Sequence, residues 1–110
     1  MSGRTAVHVT TELRVRGAEP DDEFHDRVEA LMDELVAIEQ HDVDLSDGTV
    51  SGDPGARLIT IELLVLTDDP VYALARSISA TRAAVDSVGA RVPFVLGHAS
   101  ARTEPALVAA

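Results

Sequence analysis

Four aspartates in one short segment resemble, in residue type and spacing, the ligands of a cation-binding loop. Asp42, Asp44, Asp47 and Asp53 surround Gly48. A calcium loop places ligands at its first, third and fifth positions, glycine at the sixth and an acidic residue at the twelfth. Counted from Asp42, the glycine comes one position late, and apolar residues alternate with the aspartates as in a strand. We therefore expect no bound metal here and predict an acidic hairpin, with these aspartates as the alternative site for a divalent cation.

The histidines offer a second kind of chemistry, acid–base catalysis. None of His8, His25, His41 and His98 has the sequence spacing of a zinc site. His8 is the one that the strand pattern places on a sheet surface, with Glu12 on the same face. A His–Glu pair is able to transfer protons. Pairing across a dimer interface is the more common arrangement, and it is the interpretation we favour.

Other catalytic and cofactor motifs are absent from the sequence. It contains no cysteine, no G-x-S-x-G nucleophile elbow and no glycine-rich loop leading into a helix. Its aromatic residues are Phe24, Tyr72 and Phe94, too few for the stacking platforms of RNA-binding sheets. We therefore expect no cofactor, and we favour a binding protein over an enzyme.

A strongly acidic balance narrows the range of partners. The chain has 110 residues and a formal net charge of −10. From Glu19 to Asp53, thirteen carboxylates are balanced only by Arg27. Nucleic-acid backbones and anionic lipids bind to positive surfaces, so we expect neither nucleic acid nor a membrane as a partner. The absence of cysteine and of long apolar runs predicts a cytoplasmic protein.

Hydrophobic periodicity defines the first strand and the first helix. Residues 6–16 alternate between apolar and polar side chains, which indicates a half-buried strand. Pro20 and the three acidic residues at 21–23 are typical of a helix start. Apolar residues then recur every three or four positions, which predicts a buried helical stripe. This stripe consists of Phe24, Val28, Leu31, Leu35 and Ile38.

The following segments predict a hairpin and a second helix. A break in alternation at Asp47–Gly48 predicts a β-bulge or turn, and the turn signal at residues 53–55 leads into a strand over 57–66. Asp69 followed by Pro70 predicts a capped helix start, and Gly89 predicts its end. The predicted buried stripe of this helix consists of Val71, Leu74, Ile78, Thr81, Val85 and Val88.

These elements predict one α+β domain over residues 1–97 and a flexible C-terminal tail over 98–110. A short last strand over 92–96 belongs at a sheet edge, because Pro93 has no backbone donor. Right-handed crossovers place the first and third strands side by side, with the second strand outside the third and the last outside the first. The predicted fold is a ferredoxin-like β-α-β-β-α-β sandwich, an antiparallel sheet with both helices on one face.

The uncovered face of this sheet is where we expect function. In a monomer this face would expose several leucines next to one another, and an apolar patch formed by several such side chains is usually covered by a partner. We therefore predict a homodimer, formed through this face or through edge strands, that acts as a non-enzymatic module binding a protein or a small-molecule effector. The alternatives are a small-molecule enzyme of the dimeric α+β-barrel type that uses His8 and Glu12, and a cation-responsive protein. The predicted face consists of His8, Thr10, Glu12, Arg14, Leu58, Thr60, Glu62, Leu64 and Leu66.

Two segments resemble parts of known short proteins. Residues 28–39 (Val-Glu-Ala-Leu-Met-Asp-Glu-Leu-Val-Ala-Ile-Glu) and residues 63–70 (Leu-Leu-Val-Leu-Thr-Asp-Asp-Pro) flank the acidic hairpin. They are similar to segments of functionally uncharacterised ferredoxin-like α+β proteins of high-GC bacteria. The resemblance covers most of residues 5–90 and implies the fold. It carries no functional motif, so it assigns no site residue.

Overall fold

Four strands and two helices make up the part of the chain that the computed structural model describes, residues 3–17, 20–91 and 95–109. The order is β-α-β-β-α-β, as predicted, and the protein is α+β. Within these residues, neither helix has the length and hydropathy needed to cross a membrane. The elements are β1 (Gly3–Arg16), α1 (Asp21–Gln40), β2 (Leu45–Asp53), β3 (Leu58–Val65), α2 (Pro70–Arg91) and β4 (Val95–Ala109).

The four strands form one antiparallel sheet in the order β2-β3-β1-β4. This is the order that the crossover argument predicts, with β1 and β3 at the centre. β1 pairs with β3 from Val7 opposite Val65 to Arg14 opposite Leu58. On its other side β1 pairs with β4 over nearly its whole length. Side chains alternate between the two faces of a strand, so this register decides which residues share a face.

One face of the sheet carries the core. Val9, Ile59, Leu63 and Val65 have no exposed surface, and they belong to the same buried cluster as residues of both helices. The predicted stripe of α1 is confirmed, with Val28 and Ile38 at its margin. Burial of each large apolar side chain stabilises the fold by about 1.5–3 kcal/mol. The fully buried residues of α1 are Phe24, Leu31 and Leu35.

A bulge in β2 brings α1 close to the sheet. The pairing shifts between Ser46 and Thr49, and Asp47 takes a positive φ of 52°, so the predicted bulge is confirmed. The extra residue reverses the alternation, which turns Gly48 and Gly52 toward α1. The Gly48 N–H donates to Glu39 Oε1 at 2.6 Å. Two positions without a side chain therefore allow α1 to pack directly on this edge strand.

The start of α2 is as predicted. The Asp69 Oδ1 atom accepts hydrogen bonds from the backbone N–H groups of Val71 at 2.9 Å and Tyr72 at 3.3 Å. Pro70 occupies the first helical position, where its missing N–H has no cost. The helix continues past Gly89 and ends at Arg91, two residues later than predicted.

The predicted stripe of α2 is partly wrong. Val71 is 74% exposed and Ile78 is 46% exposed, although both were expected in the core. The helix instead buries a row of small side chains, because small residues allow its backbone to approach the sheet closely. The larger aliphatic residues flank that row. The buried residues of α2 are Ala73, Ser77, Ala80, Thr81, Ala84 and Val88.

The prediction of a flexible tail over residues 98–110 is wrong for 98–109, which belong to β4. These residues pair with β1 from His98 opposite Arg14 to Ala109 opposite Gly3, and a bulge at Gly97 precedes them. Alanine has low strand propensity, but pairing with a long neighbouring strand outweighs it. β4 lies at the sheet edge, as predicted. Pro93, on which that prediction rested, lies outside the described residues.

Candidate functional site

The sheet face opposite the helices, called the open face below, gathers most of the predicted site residues. Each of the four positions of β1 lies opposite one position of β3, so these eight residues are cross-strand neighbours. Leu66 follows directly after β3, and its N–H donates to the Asp44 carbonyl at 2.8 Å. The pairs are His8 with Leu64, Thr10 with Glu62, Glu12 with Thr60, and Arg14 with Leu58.

β4 and β2 add residues to the open face that the sequence analysis did not include. The register places Arg102 opposite Thr10 and Glu104 opposite His8. Thr10 is already buried between its two cross-strand neighbours. From β2, the Thr49 hydroxyl donates to Glu62 Oε2 at 3.4 Å. The open face therefore spans all four strands.

The charged groups of the open face pair laterally. His8 Nε2 lies 3.4 Å from Glu62 Oε1, and Arg102 Nη1 donates to Glu12 Oε1 at 2.9 Å. His8 is thus paired with Glu62 rather than with Glu12, its expected partner. Exposed pairs of this kind contribute about 0–1 kcal/mol. Their main effect is that opposite charges on this face compensate each other.

Leucines on the central strand are the apolar part of the open face. Leu58, Leu64 and Leu66 are half-buried. Both helices, together with the hydrophobic core, lie on the other side of the sheet. Within residues 3–17, 20–91 and 95–109, no element covers these side chains. Neutralised charges around uncovered leucines form a surface suited to contact with another protein.

The four aspartates of the acidic segment have separate structural roles. Asp42 forms an ion pair with Arg76 on α2, and its Oδ1 accepts the Asp44 N–H at 3.0 Å. Asp53 Oδ1 accepts the Ala56 N–H at 3.2 Å in the hairpin turn. Asp47 occupies the bulge. Among the described residues no group of three or more acidic or histidine side chains converges on one point, so the geometry gives no support to the cation alternative.

A tyrosine connects α2 to the same segment. The Tyr72 hydroxyl donates to Asp44 Oδ2 at 3.3 Å. Partial desolvation, followed by the nearby carboxylate charge and this hydrogen bond, raises the Tyr72 pKa above its ordinary value of 10.0. The tyrosinate form is thus disfavoured in the folded protein, and the contact is lost as the pH rises through the raised pKa. Together with Arg76, Tyr72 fixes the segment that leads into β2.

A second candidate site is a cavity on the helix side of the sheet, called the α2–β4 groove below. Its volume is about 390 Å³. It lies between α2 and β4, where β4 carries the small, exposed side chains of Ala99 and Ala101. The lining residues are Thr11, Leu13, Ile78, Thr81, Arg82, Val85, Asp86, Leu96, Ala99, Ser100 and Ala101.

Two buried hydroxyls line this groove without a partner. Thr11 and Thr81 are 4% and 5% exposed, and neither Oγ1 atom has a hydrogen-bond partner in the described part of the protein. An unsatisfied buried hydroxyl costs about 1–3 kcal/mol. Arg82 and Asp86 are the ionisable side chains among the lining residues, and they are exposed. The groove therefore has apolar walls and opposite charges at its mouth, and two unpartnered hydroxyls lie just beneath its surface.

The sequence signal for the groove is present but weak. Ala99, Ala101 and Thr103 alternate with Ser100, Arg102 and Glu104, which is the period of a strand. A strand interpretation of this segment would have placed small residues on the helix side. The depth of the groove also depends on the rotation of α2, which puts Ile78 at the surface instead of in the core.

Comparison with known proteins adds no further residue roles. No family model matches the chain, and no curated protein has a significantly similar sequence.

Proposed function

We propose that this chain is a non-enzymatic, homodimeric binding module of the cytoplasm, whose two copies meet through the open face. The uncovered leucines of β3 carry the proposal. They lie at the centre of a four-stranded sheet with the helices on its other side, where a second sheet would exclude water from them. The proposed contact is symmetric, because each copy supplies the same patch.

The charge of the open face supports a second copy as the partner. Two chains with a net charge of −10 repel each other. On the open face, however, Arg14 and Arg102 nearly balance Glu12, Glu62 and Glu104. A two-fold axis through this face brings together a part of each copy whose charges nearly cancel.

We infer in addition that the fold is of the ferredoxin-like type. The strand order β2-β3-β1-β4 and the helix-length crossovers support a ferredoxin-like sandwich. We also propose that the chain is related to the short proteins of high-GC bacteria that it resembles. Neither proposal implies an activity.

A binding role is favoured over catalysis by the separation of the chemical groups. His8 and Glu12, the acid–base candidates, lie on the open face. The α2–β4 groove lies on the opposite side of the sheet. Its lining residues include no histidine or glutamate. A substrate in the groove would therefore be out of reach of both candidates.

Thiol protection tests which face is buried. The chain has no cysteine, so Thr60→Cys places a single thiol at the centre of the open face. We expect a bulky maleimide to react slowly with this thiol at high protein concentration and faster on dilution, as the dimer dissociates. Ser79→Cys, on the exposed surface of α2, is the matched control and should react at one rate throughout. A Thr60→Cys rate that does not depend on concentration would overturn the proposal.

A further inference from the structure

We propose that the α2–β4 groove binds a small, uncharged, mainly apolar molecule that carries at least one hydrogen-bonding oxygen atom. This inference goes beyond the proposed dimer and does not depend on it. The groove lies on the helix side of the sheet, so it stays open when the open face is covered.

The size and walls of the groove fit such a molecule. A volume of about 390 Å³ is within the range of small-molecule pockets. Leu13 and Leu96 line it from the sheet, and Ile78 and Val85 line it from α2. Ile78 is 46% exposed, so a ligand in the groove would cover apolar surface that is otherwise in contact with water.

The two buried hydroxyls specify the polar part of the molecule. Thr11 comes from β1 and Thr81 from α2, so they line the groove from the sheet and from the helix. Each hydroxyl is able to donate and to accept a hydrogen bond. Both Oγ1 atoms are buried beneath the groove surface, so binding includes a rotation about the threonine χ1 that exchanges hydroxyl and methyl group. A ligand oxygen, such as that of an alcohol, phenol or ketone, would then supply the partner that neither hydroxyl finds within the described residues.

The charges at the mouth indicate an uncharged ligand. Arg82 and Asp86 are one helical turn apart on α2, where opposite charges largely cancel. They are the only ionisable side chains among the groove's lining residues. A carboxylate or an amine would therefore gain little from one and be repelled by the other.

The first test is a titration with para-cresol, followed in amide NMR spectra of the full chain. We expect saturable shifts at groove residues. Ala101→Leu adds a side chain to the exposed β4 wall and should weaken binding by at least about tenfold, because it fills the space the ring occupies. Ala75→Leu makes the same change on the exposed surface of α2 outside the groove and should leave the affinity unchanged.

The second test concerns the chemical class of the ligand. Thr81→Val removes one hydroxyl and keeps the side-chain shape. We expect this variant to lose most of the preference for para-cresol over toluene, which is the same ring without oxygen. Binding of benzoate as tight as that of para-cresol would overturn the uncharged assignment. Absence of saturable shifts with para-cresol, or an affinity that Ala101→Leu does not change, would overturn the site itself.

Discussion

Leu64→Arg is expected to convert the proposed dimer into a monomer. Leu64 lies on the central strand β3, opposite His8 in the register. An arginine there would place an uncompensated charge in the buried contact, which costs about 3–5 kcal/mol. A symmetric interface contains the change twice. The dissociation constant should therefore rise by more than about a hundredfold, which sedimentation velocity detects as a loss of the dimer peak.

The fold itself should tolerate this substitution. Leu64 is half-buried on the side of the sheet away from the core, so the arginine reaches solvent in the monomer. Far-UV circular dichroism would show an unchanged spectrum. Val71→Arg adds the same charge on the exposed surface of α2 and should leave the dimer intact. Equal association of the Leu64→Arg and Val71→Arg proteins would mean that the open face is not the interface.

Gly52→Ala is expected to destabilise the fold by about 1–3 kcal/mol. A methyl group at residue 52 would lie 2.6 Å from Val28 Cγ2 and 2.8 Å from Phe24 Cε1. Phe24 has no exposed surface and is held in the core, so its ring has no free space to move into. Relief requires α1 to shift away from β2. Thermal unfolding at a fixed protein concentration should show the midpoint lowered by roughly 5 °C or more.

Another glycine of the same hairpin provides the control. Gly55 lies in the turn, and its nearest neighbour for an added methyl group is Asp53 Oδ1 at 3.4 Å. Gly55→Ala should therefore change the midpoint little. If Gly52→Ala is as stable as the unmodified protein, α1 does not pack against β2 as described.

Local sequence patterns were sufficient for the elements whose signals lie within a few residues of each other. The alternation of apolar and polar residues predicts the buried side of β1. The break in alternation at Asp47–Gly48 predicts the bulge of β2. The aspartate cap at residue 69 gave the start of α2. Each of these depends on contacts between near neighbours in the chain, so the residues themselves carry the information.

Features that depend on tertiary packing could not be predicted in the same way. The stripe of α2 was assigned to large aliphatic residues, but the helix buries small ones such as Ala73 and Ala84. Which residues of α2 are buried depends on the positions of α1 and the sheet, which the helix packs against. The sequence pattern predicts no strand beyond Leu96, because alanine and serine have low strand propensity. In the structure this segment is a strand because it pairs with β1.

The features of the candidate sites also differ in whether they follow from local sequence patterns or from tertiary packing. Membership of the open face follows from alternation, so the eight predicted residues of β1 and β3 lie together. The pairing of His8 with Glu62 depends on register, which alternation alone does not fix. The α2–β4 groove requires both the rotation of α2, which depends on tertiary packing, and the length of β4, for which the alternation over residues 99–104 is only a weak signal.

The central claim is that two copies of this chain associate through the open face. The most direct measurement is the mass of the unmodified protein in solution, by light scattering at micromolar concentration. We predict a species of twice the chain's 11.6 kDa that dissociates on dilution and that the Leu64→Arg protein does not form. A single monomeric mass at every concentration would contradict the claim.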